Sequence, residues 1–214
     1  MSLRDRSKTA GSNGIFRESI SDEELKGLPI RKFDGDIHLI DTIDKFEKII
    51  PLLAGDTLLG FDTETKPSFR KGRRNSVSLL QLATDDTAFL MRLNLIGLPA
   101  SLSTLLSDDS VIKAGVALRD DIKELAELSP FDPGGFTDLQ LIADHFGIKN
   151  YSLKKMAAIV LGYTVSKRQQ VSDWNARRLT AQQILYAATD AWVCYNIYRK
   201  LQCADNNIYL KGVV

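Results

Sequence analysis

Cysteine and histidine are scarce in this sequence, with two of each among 214 residues. His38 and His145 lie far apart and have no cysteine neighbours at metal-ligand spacing, which argues against a structural zinc site. Cys194 and Cys203, if one helix carries both, are separated by ~14 Å, too far for a disulfide. Both read as reduced thiols, and the expected compartment is the cytoplasm. No apolar run approaches the roughly 20 residues of a membrane span, and Met1 to Gly14 lacks the apolar core of a signal peptide. The net charge is only +1, so any affinity for nucleic acid must come from local basic patches rather than from an overall field. A G-x-G-x-x-G turn is missing as well, which removes nicotinamide and flavin chemistry. What remains, 44% apolar and 26% charged, suits one soluble domain with a substantial core.

Residues 1–18 are polar and expected to be a disordered tail, with a single domain over 19–214. The order of elements is legible from pattern. A short helix over Ser21 to Lys26 precedes a brief strand at Ile37 to Ile40. Asp41 or Thr42 then caps a helix carrying Ile43, Phe46, Ile50 and Leu53 near helical period. Thr57 to Thr63, Ser76 to Ala83 and Thr87 to Arg92 read as three strands of an antiparallel meander. Helices follow at Ala100 to Leu106 and Leu118 to Leu128, with a short strand at Val111 to Gly115 between them. Pro130 to Gly135 is a turn-rich connection. Asp138 caps a helix ending at Phe146, and Ser152 caps one closed by Gly162. After a polar segment, Tyr163 to Arg178, Thr180 and Gln183 form a capping box, with Leu179 and Ile184 as a hydrophobic staple. The helix they start should run to about Leu201. The predicted class is α/β, a mixed sheet with helices on both faces.

The acidic residues carry the chemistry. Leu58-Leu59-Gly60-Phe61 is an apolar strand that runs into Asp62-Thr63-Glu64. Residues i and i+2 on a strand share a face, so Asp62 and Glu64 project together with Thr63 on the other side. Such a pair repels itself unless a cation intervenes, and hard oxygen ligands suit Mg²⁺ or Mn²⁺. A strand end entering an acidic loop shows the same spacing. On the last helix Tyr186 and Asp190 stand at i and i+4 on one face, where Asp190 either interrupts a core stripe or is solvated at its edge. Asp120 and Asp121 open another helix, where helix-dipole stabilisation is the alternative to function. Arg70, Lys71, Arg73 and Arg74 cluster with Phe69 just after the acidic strand. Lys167, Arg168, Arg177 and Arg178 flank Trp174. These are either solvated faces or phosphate grips with aromatics that stack bases. Trp174, Trp192 and Tyr195 read as core.

Taken in order, these motifs resemble the 3′–5′ exonuclease superfamily with four acidic residues and a tyrosine. Phe61-Asp62-Thr63-Glu64-Thr65 is similar to its opening strand. Gly115-Val116-Ala117-Leu118-Arg119-Asp120-Asp121 is similar to its second motif, and Tyr186-x-x-x-Asp190 to the tyrosine form of its third. Ser152-Leu153-Lys154-Lys155-Met156 and Ser172-Asp173-Trp174 resemble the RNase D and Werner-type branch, over residues 36–202. The resemblance implies an RNase H-like fold and a two-metal phosphodiesterase that acts on a DNA or RNA 3′ end. Asp62 would bridge two Mg²⁺ or Mn²⁺ ions, Glu64 and Asp190 would hold the one that activates water, and Asp121 would support the second. Tyr186 would position the attacking water. Thr63, Phe69, Arg70, Lys71, Arg73, Arg74, Lys167 and Arg168 are the expected nucleic-acid contacts. RNA 3′-end trimming of the RNase D kind, without that family's extra helical domains, and a non-cleaving nucleic-acid-binding module are the alternatives.

Overall fold

The computed structural model describes residues 14–53, 55–67 and 75–205. In chain order the elements are α1 (Asp22–Lys26), β1 (Asp36–Ile40), α2 (Ile43–Leu53), β2 (Leu58–Thr65), β3 (Val77–Ala83), β4 (Thr87–Met91) and α3 (Leu93–Ile96). They continue as α4 (Ala100–Ser107), β5 (Ile112–Gly115), α5 (Leu118–Leu128), β6 (Phe136–Asp138), α6 (Leu139–His145), α7 (Leu153–Leu161) and α8 (Ala181–Ala204). The six strands form one sheet in the order β1-β4-β3-β2-β5-β6. β2, β3 and β4 are the antiparallel meander that the short connections predict. β1, β5 and β6 join in parallel, so the sheet is mixed.

Alternation along β2 sorts its side chains between two cores. Leu59 and Phe61 point into a layer made with Phe46 of α2, Leu102 of α4 and Ile122 of α5. The opposite face of the sheet is covered by α8, whose Ala187, Ala188 and Ala191 pack on Leu79 of β3 and Leu90 of β4. Small residues on that helix let it lie close to the sheet. The approach is closest at Gly60, where a methyl group would run into the Ala191 carbonyl oxygen. Every residue of β3 is buried, as expected of a strand covered on both faces.

The start of α8 is built as its sequence predicts. Thr180 accepts from the Gln183 N–H and the Gln183 side chain accepts from the Thr180 N–H, at 3.2 and 3.0 Å. Gln183 also donates to the Asp173 carbonyl, and buried Arg92 donates to the Ala176 and Arg177 carbonyls. These contacts pin the polar segment that precedes the helix, with Trp174 wholly buried beneath it.

Several expectations are adjusted. β2 runs to Thr65 rather than Thr63, so Glu64 lies within the strand. β6 and α3, of three and four residues, escape pattern reading. Trp192 and Tyr195 are half-buried at the edge of the core rather than inside it. Within the stretch read as tail, Phe16 packs edge-on against Phe146 at 5.4 Å and the Glu18 carbonyl accepts from Lys149. Residues 1–13 lie outside the described residues. Both cysteines are carried by α8 and are free.

Candidate active site

Asp62 and Glu64 leave the same face of β2, towards α8, and meet Asp190 there. One carboxylate oxygen from each lies within 4.8 Å of the others. Asp190 is 6% exposed, so the solvated-edge alternative fails. Three carboxylates are thus gathered where water screens them poorly. Burial, then the charges of Asp190 and Asp121, push the Asp62 carboxyl well above its ordinary value. Glu64 rises to about 10 through burial and the charges of Asp62, Asp190 and Asp121. Asp190 rises to about 7 by burial, against the opposing pull of a Tyr186 hydrogen bond and the Lys167 charge. Oxygen-only donors that cannot all ionise alone form a site suited to a hard divalent cation.

Tyr186 sits one turn before Asp190 on α8 and hydrogen-bonds to it. Burial and the nearby carboxylates raise its phenol far above the ordinary range, so the hydroxyl keeps its proton at any working pH. Its ring lies 6.0 Å from that of Trp174, which backs it from the core.

Asp121 stands on the opposite face of β2, outside the cluster of three, and acts on Asp62 and Glu64 through its charge. It stands in the first turn of α5 and accepts a 2.5 Å hydrogen bond from the Thr63 hydroxyl. Thr63, expected as a nucleic-acid contact, therefore also positions a carboxylate across β2. Burial lifts Asp121 to about 6, with the Thr63 bond opposing and Glu124, Asp120 and Asp138 adding to the rise. Asp120 is exposed in the same turn, as helix-dipole stabilisation requires.

The turn that aims α5 depends on a residue whose second role sequence reading missed. Ala117 adopts left-handed backbone, φ 57° and ψ 43°. Asp138 accepts from the Ala117 and Leu118 N–H groups at 3.2 and 3.3 Å while also capping α6 through the Gln140 N–H. The helix cap is legible in sequence. The link to α5 arises because β6 pairs beside β5, with Asp138 opposite Gly115.

A cleft of about 470 Å³ opens over these groups. Asp62, Thr63, Glu64, Tyr186 and Asp190 line it, with Lys154 and Lys167 at its side. Arg168 is exposed and lines neighbouring depressions instead. Phe69, Arg70, Lys71, Arg73 and Arg74 lie outside the described residues.

A sequence model of the 3′-5′ exonuclease family matches residues 37–204. The chain belongs to this family. As an exonuclease domain it is similar to the exonuclease mut-7 homolog of Aedes aegypti, 28% identical over 206 residues, covering 85% of this chain and 28% of that protein. Exonuclease 3′-5′ domain-containing protein 2 of Drosophila melanogaster is 38% identical over 69% of this chain and 26% of its own length. The mouse bifunctional 3′-5′ exonuclease/ATP-dependent helicase WRN is 28% identical over 94% of this chain and 15% of its own. The exonuclease domain thus spans less than a third of each of these three relatives. Among solved structures, the Aedes aegypti Nibbler EXO domain superposes with a TM-score of 0.74 at 28% identity, over 85% of this chain and 95% of that one. Escherichia coli RNase D superposes at 0.72 and 25% identity, over 79% and 45%. These neighbours place the exonuclease in the RNase H-like fold.

Proposed function

We propose that this exonuclease domain hydrolyses the 3′-terminal phosphodiester of a nucleic acid strand with two divalent cations, Mg²⁺ or Mn²⁺, and releases 5′-mononucleotides. The carrying observation is the convergence of Asp62, Glu64 and Asp190 within 4.8 Å in a poorly solvated cleft. These three would hold one cation, and Asp62 with Asp121 would serve the other. Bound there, the cations supply a nucleophile at neutral pH and neutralise charge on the attacking and leaving oxygens.

The chain's own groups do the rest. Tyr186 spends its proton on Asp190, so its oxygen lone pairs face the cleft as acceptors that orient the attacking water. A phenol held this far above its usual pKa does not serve as a base. Thr63 holds Asp121 in place. Lys167 and Lys154 offer positive charge along the cleft, where the backbone of the strand would lie. Phe69, Arg70, Lys71, Arg73 and Arg74 follow the acidic strand in sequence and would add sequence-independent phosphate contacts.

End-labelled DNA and RNA oligomers of matched sequence, single-stranded and recessed, test this reading. Stepwise shortening from the 3′ end should need Mg²⁺ or Mn²⁺, cease with chelator, and disappear in Asp62→Asn at unchanged circular dichroism. Full activity without divalent cations would refute the mechanism. Cations bound but no product from any substrate would favour the non-cleaving module.

A further inference from the structure

A second depression, about 290 Å³, lies beside the catalytic cleft, and Tyr186 and Ser166 form walls of both. Arg31, Lys32 and Arg168 line it, over an apolar floor that includes Ile30 and Leu185. No carboxylate among the described residues lines it. The charge there is uncompensated. Nearby Lys26, Lys66 and Lys155 are each paired, with Glu23, Asp173 and Asp22. The cleft-side Lys167 and Lys154 face the charges of Asp190 and Asp22, whereas Arg31, Lys32 and Arg168 form no ion pair among the described residues. In a chain whose net charge is only +1, that is a local concentration of free cations.

The cations are also held in place. Ile30 bridges Thr164 in parallel, with the Arg31 N–H donating to the Thr164 carbonyl and the Thr164 N–H to that of Pro29, both at 2.9 Å. Two residues on, the Phe33 N–H donates to the Thr189 hydroxyl on α8 at 3.1 Å, and the Phe33 ring is buried against that helix. The strap carrying Arg31 and Lys32 is therefore fastened on both sides of them. It precedes residue 37, where the family match begins.

We propose that this strap and the Ser166–Arg168 loop form a phosphate-binding groove for the single strand upstream of its 3′ end, an inference that rests on the exonuclease reading. The strand would leave the cleft past Tyr186. Arg31, Lys32 and Arg168 would contact phosphates, while exposed Ile30 and half-buried Leu185 would lie against sugars and bases. Phosphate contacts of this kind position a strand without reading its sequence.

Binding and turnover are measured separately on the full chain as wild type, Arg31→Ala/Lys32→Ala and Arg31→Lys/Lys32→Arg. Fluorescence anisotropy of a labelled long oligothymidylate, with chelator to block cleavage, reads the groove whether or not the protein cleaves. Turnover of a dinucleotide with Mg²⁺ reads the cleft alone. The alanine pair should weaken long-strand binding about fivefold and flatten the slope of log K against log salt by about 1.4. Dinucleotide turnover should not change, and the charge-retaining pair should bind like wild type. Unaltered affinity and slope in the alanine pair would overturn the groove. So would a loss that the charge-retaining pair shares, or one that extends to the dinucleotide. A wild type that binds the long strand with the expected slope but cleaves nothing would refute the exonuclease reading and leave the groove standing.

Discussion

Tyr186 and Asp190 share one turn of α8 and a hydrogen bond, yet the proposed mechanism gives them different tasks. Removing the phenol oxygen in Tyr186→Phe keeps the ring against Trp174 and deletes only the hydroxyl proposed to orient water. We expect kcat to fall by about 10²-fold with divalent-cation affinity nearly unchanged. Asp190→Asn removes a charge from the cation site itself and should weaken binding of Mn²⁺ in a calorimetric titration. Equal losses of cation affinity in the two variants would show that the roles are not divided this way. Both residues are legible from sequence, because i and i+4 spacing fixes their shared face. Asp62 and Glu64 are legible for the same kind of reason on a strand. What spacing cannot show is a contact made across the sheet. Thr63 reads as the odd residue between two acids, and only the packing of α5 on the far face turns its hydroxyl into a partner for Asp121. Asp138 is similar, since its hold on Ala117 and Leu118 follows from strand pairing rather than from neighbouring sequence.

At the level of elements, the seat of α8 on β2 decides the geometry. Gly60 lies two residues before Asp62, and Ala191, against which it packs, directly follows Asp190. The two carboxylates face each other because helix and strand touch backbone to backbone beside them. Gly60→Ala should force the elements apart, lowering stability by about 3 kcal/mol in urea unfolding. The surviving folded fraction should also lose activity and cation affinity, which a purely thermal defect would spare. Amphipathic helices such as α2 and α5, the capped start of α8, and the meander with its short turns are readable in the sequence. β6 and α3 are not, since three or four residues carry no period. The short strand forms because Gly115 and its neighbours in β5 offer a parallel edge, an opportunity that its own residues do not announce.

For the molecule as a whole, the carboxylate cluster links stability to both pH and cations. Asp121, Asp190 and Glu64 hold their protons up to about 6, 7 and 10 in the folded state, whereas the unfolded chain releases them near 4. Below that value both states are protonated and folding bears no penalty. As pH rises past 4 the unfolded chain releases protons that the fold retains, so cation-free stability falls through pH 6 and 7. A divalent cation replaces those protons. Thermal melts should therefore show Tm declining from pH 5 to 8 without cations, and an Mn²⁺-induced rise in Tm that widens over the same range. A flat Tm across that range would mean that the carboxylates are better solvated than the cleft suggests. The separation of these groups along the chain has a consequence in time as well. Synthesis delivers β2 early and α8 last among the described elements, so a growing polypeptide carries Asp62 and Glu64 without Asp190 or Tyr186. Until α8 has been made, that polypeptide holds only half of a cutting centre. Hydrolytic competence waits on the helix that brings the missing carboxylate and phenol to the strand.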